Sequence, residues 1–297
     1  MSDLNNAEFN PRALNDEFLA KFKTGIHKAV LDEVKKDNEL IMCLRGTYVT
    51  IYYKSLQILK LHNTGRPEIN SKYGINPKDK EYGYPNDFNA HKYFAEAKKK
   101  LSEYQPKSGH KQNKKEKEVQ QAIVNKYNSE QNDPDLFILD IEYRQKCPLE
   151  KRFDAIAAFK DENNKSRLAF VEIKCGSGAI SGDSGVQGHF ISARDFTKHL
   201  KNNKKYGENF YQDMKKVINQ INELGLYKNK FDGKTDFIKK PGLIYMFVNY
   251  SPRNDVIGSI TKEKGPFNKI TCIDFDYDGK LHLKSVQKRA CRGNHEG

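Results

Sequence analysis

Apolar residues recur along this chain with two different periods, and the points where one period gives way to the other mark out its elements. From Asp16 to Val34, the residues Phe18, Leu19, Phe22, Ile26, Val30 and Leu31 return at helical spacing, which predicts one amphipathic helix with those side chains on its buried side. Three short runs follow, Glu39 to Leu44, Tyr48 to Tyr53 and Leu56 to Leu61, separated only by Arg45-Gly46-Thr47 and Lys54-Ser55. Strands spaced so closely predict a β-meander. Residues 65–86 are rich in Gly, Pro, Asn and Lys and read as a loop or linker, after which Asp87 to Tyr104 resumes helical spacing with a basic surface.

Asn113 to Asn128 carries Val119, Ala122, Ile123 and Tyr127 in an apolar stripe and is expected to be a helix. Beyond it, Arg152 to Phe159 and Leu168 to Lys174 are apolar runs joined by the polar segment 160–167, the pattern of two antiparallel strands. With the turn centred near Asn163, Asp154 falls opposite Glu172, Ile156 opposite Phe170 and Ala158 opposite Leu168, and alternation sets Lys174 on the face of Glu172. A slip of one residue would move Glu172 off that pairing. The other face carries Phe153, Ala155, Ala157, Ala169, Val171 and Ile173, so both faces are apolar away from the charged end, as in strands covered on both sides by helices. Residues 175–184 form a glycine- and serine-rich loop, and Gly185 to Leu200 and Tyr211 to Leu224 read as helices. Gly242 to Tyr250 reads as another buried strand, and Lys269 to Tyr277 and Lys280 to Ser285 flank the hairpin signal Asp278-Gly279. The basic stretch from Val286 onward is expected to fray, and no internal repeat is evident.

Two carboxylates and an amine at one end of otherwise apolar strands need compensation. Directly opposed like charges on a sheet are destabilising, and a divalent cation between them reverses that sign. The competing reading makes Asp154 and Glu172 ordinary edge charges neutralised by Arg152 and Lys174. The glycine loop contains neither GxxxxGK[ST] nor GxGxxG, so nucleotide binding through those motifs is not indicated.

Asp154, Glu172 and Lys174 resemble the signature of the PD-(D/E)xK phosphodiesterase superfamily, the restriction-endonuclease-like fold, with Phe153 standing where the proline of the motif would be. The resemblance implies an α/β (α+β mixed sheet) architecture: a central mixed sheet flanked by helices over residues 106–297, beside an N-terminal helix and meander subdomain over residues 1–105. It implies a Mg²⁺ ion, with Mn²⁺ as a substitute, held by Asp154, Glu172 and the carbonyl of Ile173. Lys174 would then orient the attacking water or stabilise charge growing on the phosphate. Glu116, which points toward the apolar stripe of its helix, would be the additional acid, whereas Glu118 lies about 200° around that helix. Glu116 equally suits a capping box with Asn113. Gln120, Gln187 and His189 are further polar candidates around the site, the histidine being open to a packed or solvated role as well. The implied activity is that of a metal-dependent nuclease, a DNA endonuclease of restriction or defence; the alternative is a catalytically inactive nucleic-acid-binding or assembly protein that retains the fold.

A formal charge of +13 and a pI near 9.3 suit a polyanionic partner. Lysine clusters at 98–100, 114–115, 204–205 and 239–240 alternate with tyrosines such as Tyr93, Tyr206 and Tyr211; solvated helix faces look the same, but together with the carboxylate pair the pattern favours nucleic acid over a small phosphate ester, and the resemblance implies DNA more than RNA. Five cysteines without paired spacing point to a reducing compartment and no structural zinc. No long apolar segment and no charged-then-apolar leader are present, so a membrane span is not expected and cytoplasm is the default. The N-terminal subdomain is expected to recognise substrate, to meet a protein partner or second copy, or to serve as scaffold.

Overall fold

Asn15 opens the first helix: its side chain accepts the N–H of Phe18 at 2.8 Å, Asp16 and Glu17 occupy the first turn, and Lys21 and Lys23 occupy the last. Each choice complements the helix dipole. Yet this helix, α1 (Asp16–Lys23), stops short, and α2 (Lys28–Lys36) starts anew, so the single helix expected over residues 16–34 is two. The chain folds back on itself at Gly25, where a Cβ would sit 2.8 Å from the Lys21 Cα. Each helix keeps its own stripe, Phe18, Leu19 and Phe22 on one and Val30, Leu31 and Val34 on the other, while Ile26 in the break is 39% exposed.

The computed structural model describes residues 9–54, 56–69, 75–84, 86–103, 111–130, 136–145, 151–161, 163–175, 186–232, 236–248, 268–277 and 281–290; for 111–117, 186–190 and the strands after 267 the description is of backbone alone. Among the described residues six α-helices and two sheets make a mixed α+β protein, consistent with the α/β class. The chain divides into two compact units, one of residues 10–134 with 212–234, the other of residues 1–9, 135–211 and 235–297.

In the first of these units β1 (Leu40–Leu44), β2 (Tyr48–Tyr53) and β3 (Leu56–His62) form the expected antiparallel meander, and β4 (Pro67–Glu68) pairs with β3 at the edge, a position that tolerates proline. The turn between β1 and β2 requires Gly46, whose φ is 71° and whose Cβ would lie 2.3 Å from the Pro11 carbonyl oxygen. Helix α3 (Ala90–Glu103) buries Tyr93, which donates its hydroxyl to the Ile58 carbonyl on β3 at 2.5 Å. Helix α4 (Lys111–Asn125) ends in a π-helical turn over Lys126–Glu130, with Val119, Ile123 and Tyr127 buried as their spacing predicts.

Residues 12–14 are strapped down by the final helix, α6 (Lys204–Leu224). The Asp213 carboxylate accepts the consecutive N–H groups of Arg12 (2.7 Å) and Ala13 (3.0 Å), and the Gln220 amide both accepts from Leu14 N–H (2.8 Å) and donates to its carbonyl (2.7 Å). Burial pushes the Asp213 carboxyl above the usual range, while the two N–H donors pull it down. Asp213→Ala strands two amide donors against a methyl group and is expected to cost about 2–3 kcal/mol, with Asp213→Asn milder; midpoints of urea unfolding measure the difference.

The other unit is built on a six-stranded mixed sheet in the order β10-β9-β8-β7-β6-β5. Its strands are β5 (Leu136–Gln145), β6 (Lys151–Lys160), β7 (Ser166–Cys175), β8 (Gly242–Val248), β9 (Asn268–Tyr277) and β10 (Leu281–Ala290). The β5-β6-β7 and β9-β10 pairings are antiparallel, and β7-β8 and β8-β9 are parallel. β5 has no counterpart in the periodicity reading. β10 runs on through residues 286–290, where fraying was expected, because each of them finds a partner on β9 from Ile273 to Lys269. Helix α5 (Val186–Asn202) sends Phe196 onto Phe170 of β7 at 5.4 Å, and Phe210 stands 6.4 Å from the same ring.

Candidate active site

The turn between β6 and β7 sets the register of every charge downstream of it. Asp161 organises the turn, accepting from the N–H groups of Asn163 (3.0 Å) and Lys165 (2.9 Å) with one oxygen and from Arg167 Nε (2.8 Å) with the other, and Asn164 adopts a φ of 57°. These donors, the Lys165 N–H foremost, hold the Asp161 carboxyl below the usual carboxylate range. The resulting pairs are Ala158↔Leu168, Ile156↔Phe170 and Ala155↔Val171, the register expected from a turn near Asn163. One step further along the two strands lie Asp154 and Glu172.

β6 and β7 are interior strands, so their charges are not those of a sheet edge. Ala155, Ile156, Ala157, Ala158, Leu168, Ala169, Phe170, Val171 and Ile173 are all buried around them. In that setting Glu172 is 3% exposed and Lys174 7%, and Lys174 Nζ donates to Glu172 Oε1 at 2.8 Å. Two ions in such surroundings lose several kcal/mol of hydration each, and their contact offsets part of that cost. Asp154 is half-buried, and its Oδ2 accepts the N–H of Ile173, the residue between Glu172 and Lys174, at 2.7 Å. Arg152 is mostly exposed and reaches Glu142 of β5 at 3.2 Å.

The alternation expected along β6 does not hold throughout. Phe153, expected on the face opposite Phe170, stacks on it with ring centroids 4.3 Å apart and planes 20° apart. Two rings so stacked occupy one side of the sheet, so alternation is interrupted between Phe153 and Ala155. The interruption coincides with the last β6–β7 pair and with Glu142 on β5, whose φ is 51°. The β5–β6 register itself shifts nearby, between Ile138 and Asp140, and irregularities of this kind re-aim side chains locally and recur next to functional sites.

The remaining candidates are distributed as follows. Gln120 on α4 is buried at 4% exposure and Glu118 is half-buried. Glu116 on α4 and Gln187 and His189 on α5 have backbone positions only, their side chains lying outside the described residues, as does the glycine loop from 176 to 185. Among the described residues no group of three or more His, Cys, Asp or Glu side chains is placed to hold a metal ion. Two acids were not anticipated: Asp140 of β5, 3% exposed and opposite Ile156, and Glu142, which the pairs Ile141↔Ala155 and Tyr143↔Phe153 bracket at the level of Asp154. Their signal was present in the run Leu136 to Gln145, an apolar segment interrupted by acids in the same manner as the two strands that follow.

No helix among the described residues is long and apolar enough to cross a membrane. No protein-family model matches the chain, and no curated protein matches it. Among solved structures, that of Pyrococcus furiosus SfsA in complex with Ca²⁺ is similar over 84% of this chain and 90% of its own, at 10% identity and a TM-score of 0.22.

Proposed function

We propose that the unit built on the six-stranded sheet is a metal-dependent nuclease with a restriction-endonuclease-like core, cutting phosphodiester bonds in DNA. The observation that carries this reading is the buried Glu172–Lys174 pair on an interior strand, with Asp154 of the adjacent strand bonded to the residue between them. Charged groups are seldom kept in such a place without chemistry to perform. The donor set fits Mg²⁺, which takes hard oxygen ligands and is commonly held by one or two carboxylates together with water and substrate phosphate. Asp154, Glu172 and the Ile173 carbonyl would hold it. Bound there, the ion would polarise a phosphoryl oxygen and lower the pKa of water.

Lys174 keeps a cation beside Glu172 and would neutralise charge growing on the phosphate. The formal charge of +13 supplies the attraction that a polyanionic substrate needs. The test is incubation of the full chain with supercoiled plasmid, linear duplex, single-stranded DNA and RNA, in Mg²⁺, in Mn²⁺ and in chelator. Nicking or linearisation of the plasmid with either ion, and none in chelator, is the expected result. Tight binding of nucleic acid with no cleavage and no effect of metal would replace this reading with that of an inactive binding protein.

A further inference from the structure

His27 occupies the break between α1 and α2 and is among the most deeply buried polar residues described, at 0% exposure. Its backbone is in use: the N–H donates to the Lys21 carbonyl at 2.9 Å, and the carbonyl accepts from Leu31 N–H at 3.1 Å. Its side chain is not. Although His27 stands at the cap position of α2, it makes no capping bond, and among the described residues neither Nδ1 nor Nε2 has a hydrogen-bond partner. The ring lies instead against Phe22 at 5.0 Å and Phe18 at 6.0 Å, both fully buried. An imidazole with no acceptor in reach has nothing to stabilise a second proton.

The charges around it reinforce that state. Lys21, four residues before the break, is the charged group whose field reaches the ring; its ammonium is tied to Glu17 at 3.0 Å and to the Asn63 carbonyl at 2.6 Å. At the start of α2, Lys28 and Asp32 are exposed and paired with each other. Among the described residues no carboxylate therefore compensates a charged His27, and protonation favours the ring leaving its apolar seat for water.

We propose that His27 is an acid-sensitive latch: neutral, it closes the α1–α2 corner, and on acidification it takes up a proton and releases that corner. This device is independent of the nuclease reading. Burial, aided by Lys21, lowers the imidazole pKa in the closed state to about 4, against about 6.5 for an exposed histidine. The sign follows from linkage. The open state binds a proton below about 6.5 and the closed state does not until about 4, so closure is complete above neutrality and weakens across that window. Between pH 7.5 and 5 the opening equilibrium should rise about 30-fold.

The experiment is backbone hydrogen exchange of the full chain at both pH values, expressed as protection factors so that intrinsic exchange cancels. In the wild type, amides of α1 and α2, that of Leu31 above all, should lose about 30-fold in protection at pH 5, whereas in His27→Phe the loss should stay below about 3-fold. Equal losses in both proteins overturn the proposal. Should the variant not fold, the NMR titration of the His27 imidazole in the wild type decides: a midpoint below about 5.5 supports the latch, and one at or above about 5.5 overturns it.

Discussion

Glu172→Gln should lower the rate of DNA cleavage by about 10³-fold while leaving a folded protein. Glutamine conserves the shape of the side chain and retains an oxygen to accept from Lys174 Nζ, now 2.8 Å from Glu172 Oε1, but it removes the charge that a divalent cation requires. The choice of substitution matters because the pair is buried. Glu172→Ala would leave the Lys174 ammonium, 7% exposed, without that carboxylate, and breaking a buried pair from one side costs about 3–5 kcal/mol. Loss of activity in that variant could then be loss of fold. Lys174→Met carries the converse penalty, and the double variant Glu172→Gln, Lys174→Met should recover most of the stability of either single variant without recovering cleavage. Thermal melts beside plasmid cleavage in Mg²⁺ separate the two effects. Cleavage by Glu172→Gln at the wild-type rate would remove Glu172 from the site.

Phe170→Ala is expected to destabilise the protein by about 3–5 kcal/mol, the largest effect foreseen for any single apolar truncation in this unit. Phe170 is 1% exposed, stacked on Phe153 at 4.3 Å and in edge contact with Phe196 at 5.4 Å. Its ring fills the space between the sheet and α5, and neighbours held by a rigid strand on one side can collapse only partly into the void. Phe170→Leu should cost less than half as much because it leaves a smaller cavity. The measurement is the midpoint of chemical unfolding at an unchanged m-value. Since Phe170 and Glu172 are two residues apart on one strand, the alanine variant also tests whether the aromatic cluster positions the charged pair: activity should fall further than the unfolded fraction accounts for.

Interior placement of the charges separates the two interpretations that a strand pattern leaves open. Edge charges are solvated and contribute little, so a sequence can lose them freely. Glu172 lies on a strand with neighbours on both sides, opposite Tyr245 of β8, which is 0% exposed. Of the two neutralising partners considered for the acids, Lys174 does meet Glu172, whereas Arg152 engages Glu142.

Much of the local structure was legible because its causes are local. Period-two alternation and the turn residues Arg45-Gly46-Thr47 and Lys54-Ser55 locate β1 to β3 within a residue or two, and the polar segment ending in Arg167 locates β6, β7 and their register. The division of α1 from α2 was not legible, since Phe18 through Leu31 remain in phase with one helix and only the close approach at Gly25 breaks it. The run Leu136 to Gln145 that forms β5 is interrupted by Asp140 and Glu142 as the β6 and β7 runs are by their acids, but no turn signal read in the sequence ties it to them.

What the sequence determined by itself, then, was where β1 to β3 and the β6–β7 strands form, which acids share the β6–β7 hairpin and how that hairpin is registered, all decided by residues within a few positions of one another. The tertiary structure alone decided that β7 lies between β6 and β8, that Glu172 and Lys174 are consequently buried, and that Phe153 turns toward Phe170. It likewise decided that Asp213 and Gln220 hold residues some two hundred positions earlier in the chain, and that the His27 ring finds no hydrogen-bond partner among the described residues. Each of these depends on which distant segment is brought alongside, and burial acts through that neighbour and leaves no periodic trace in the residues themselves.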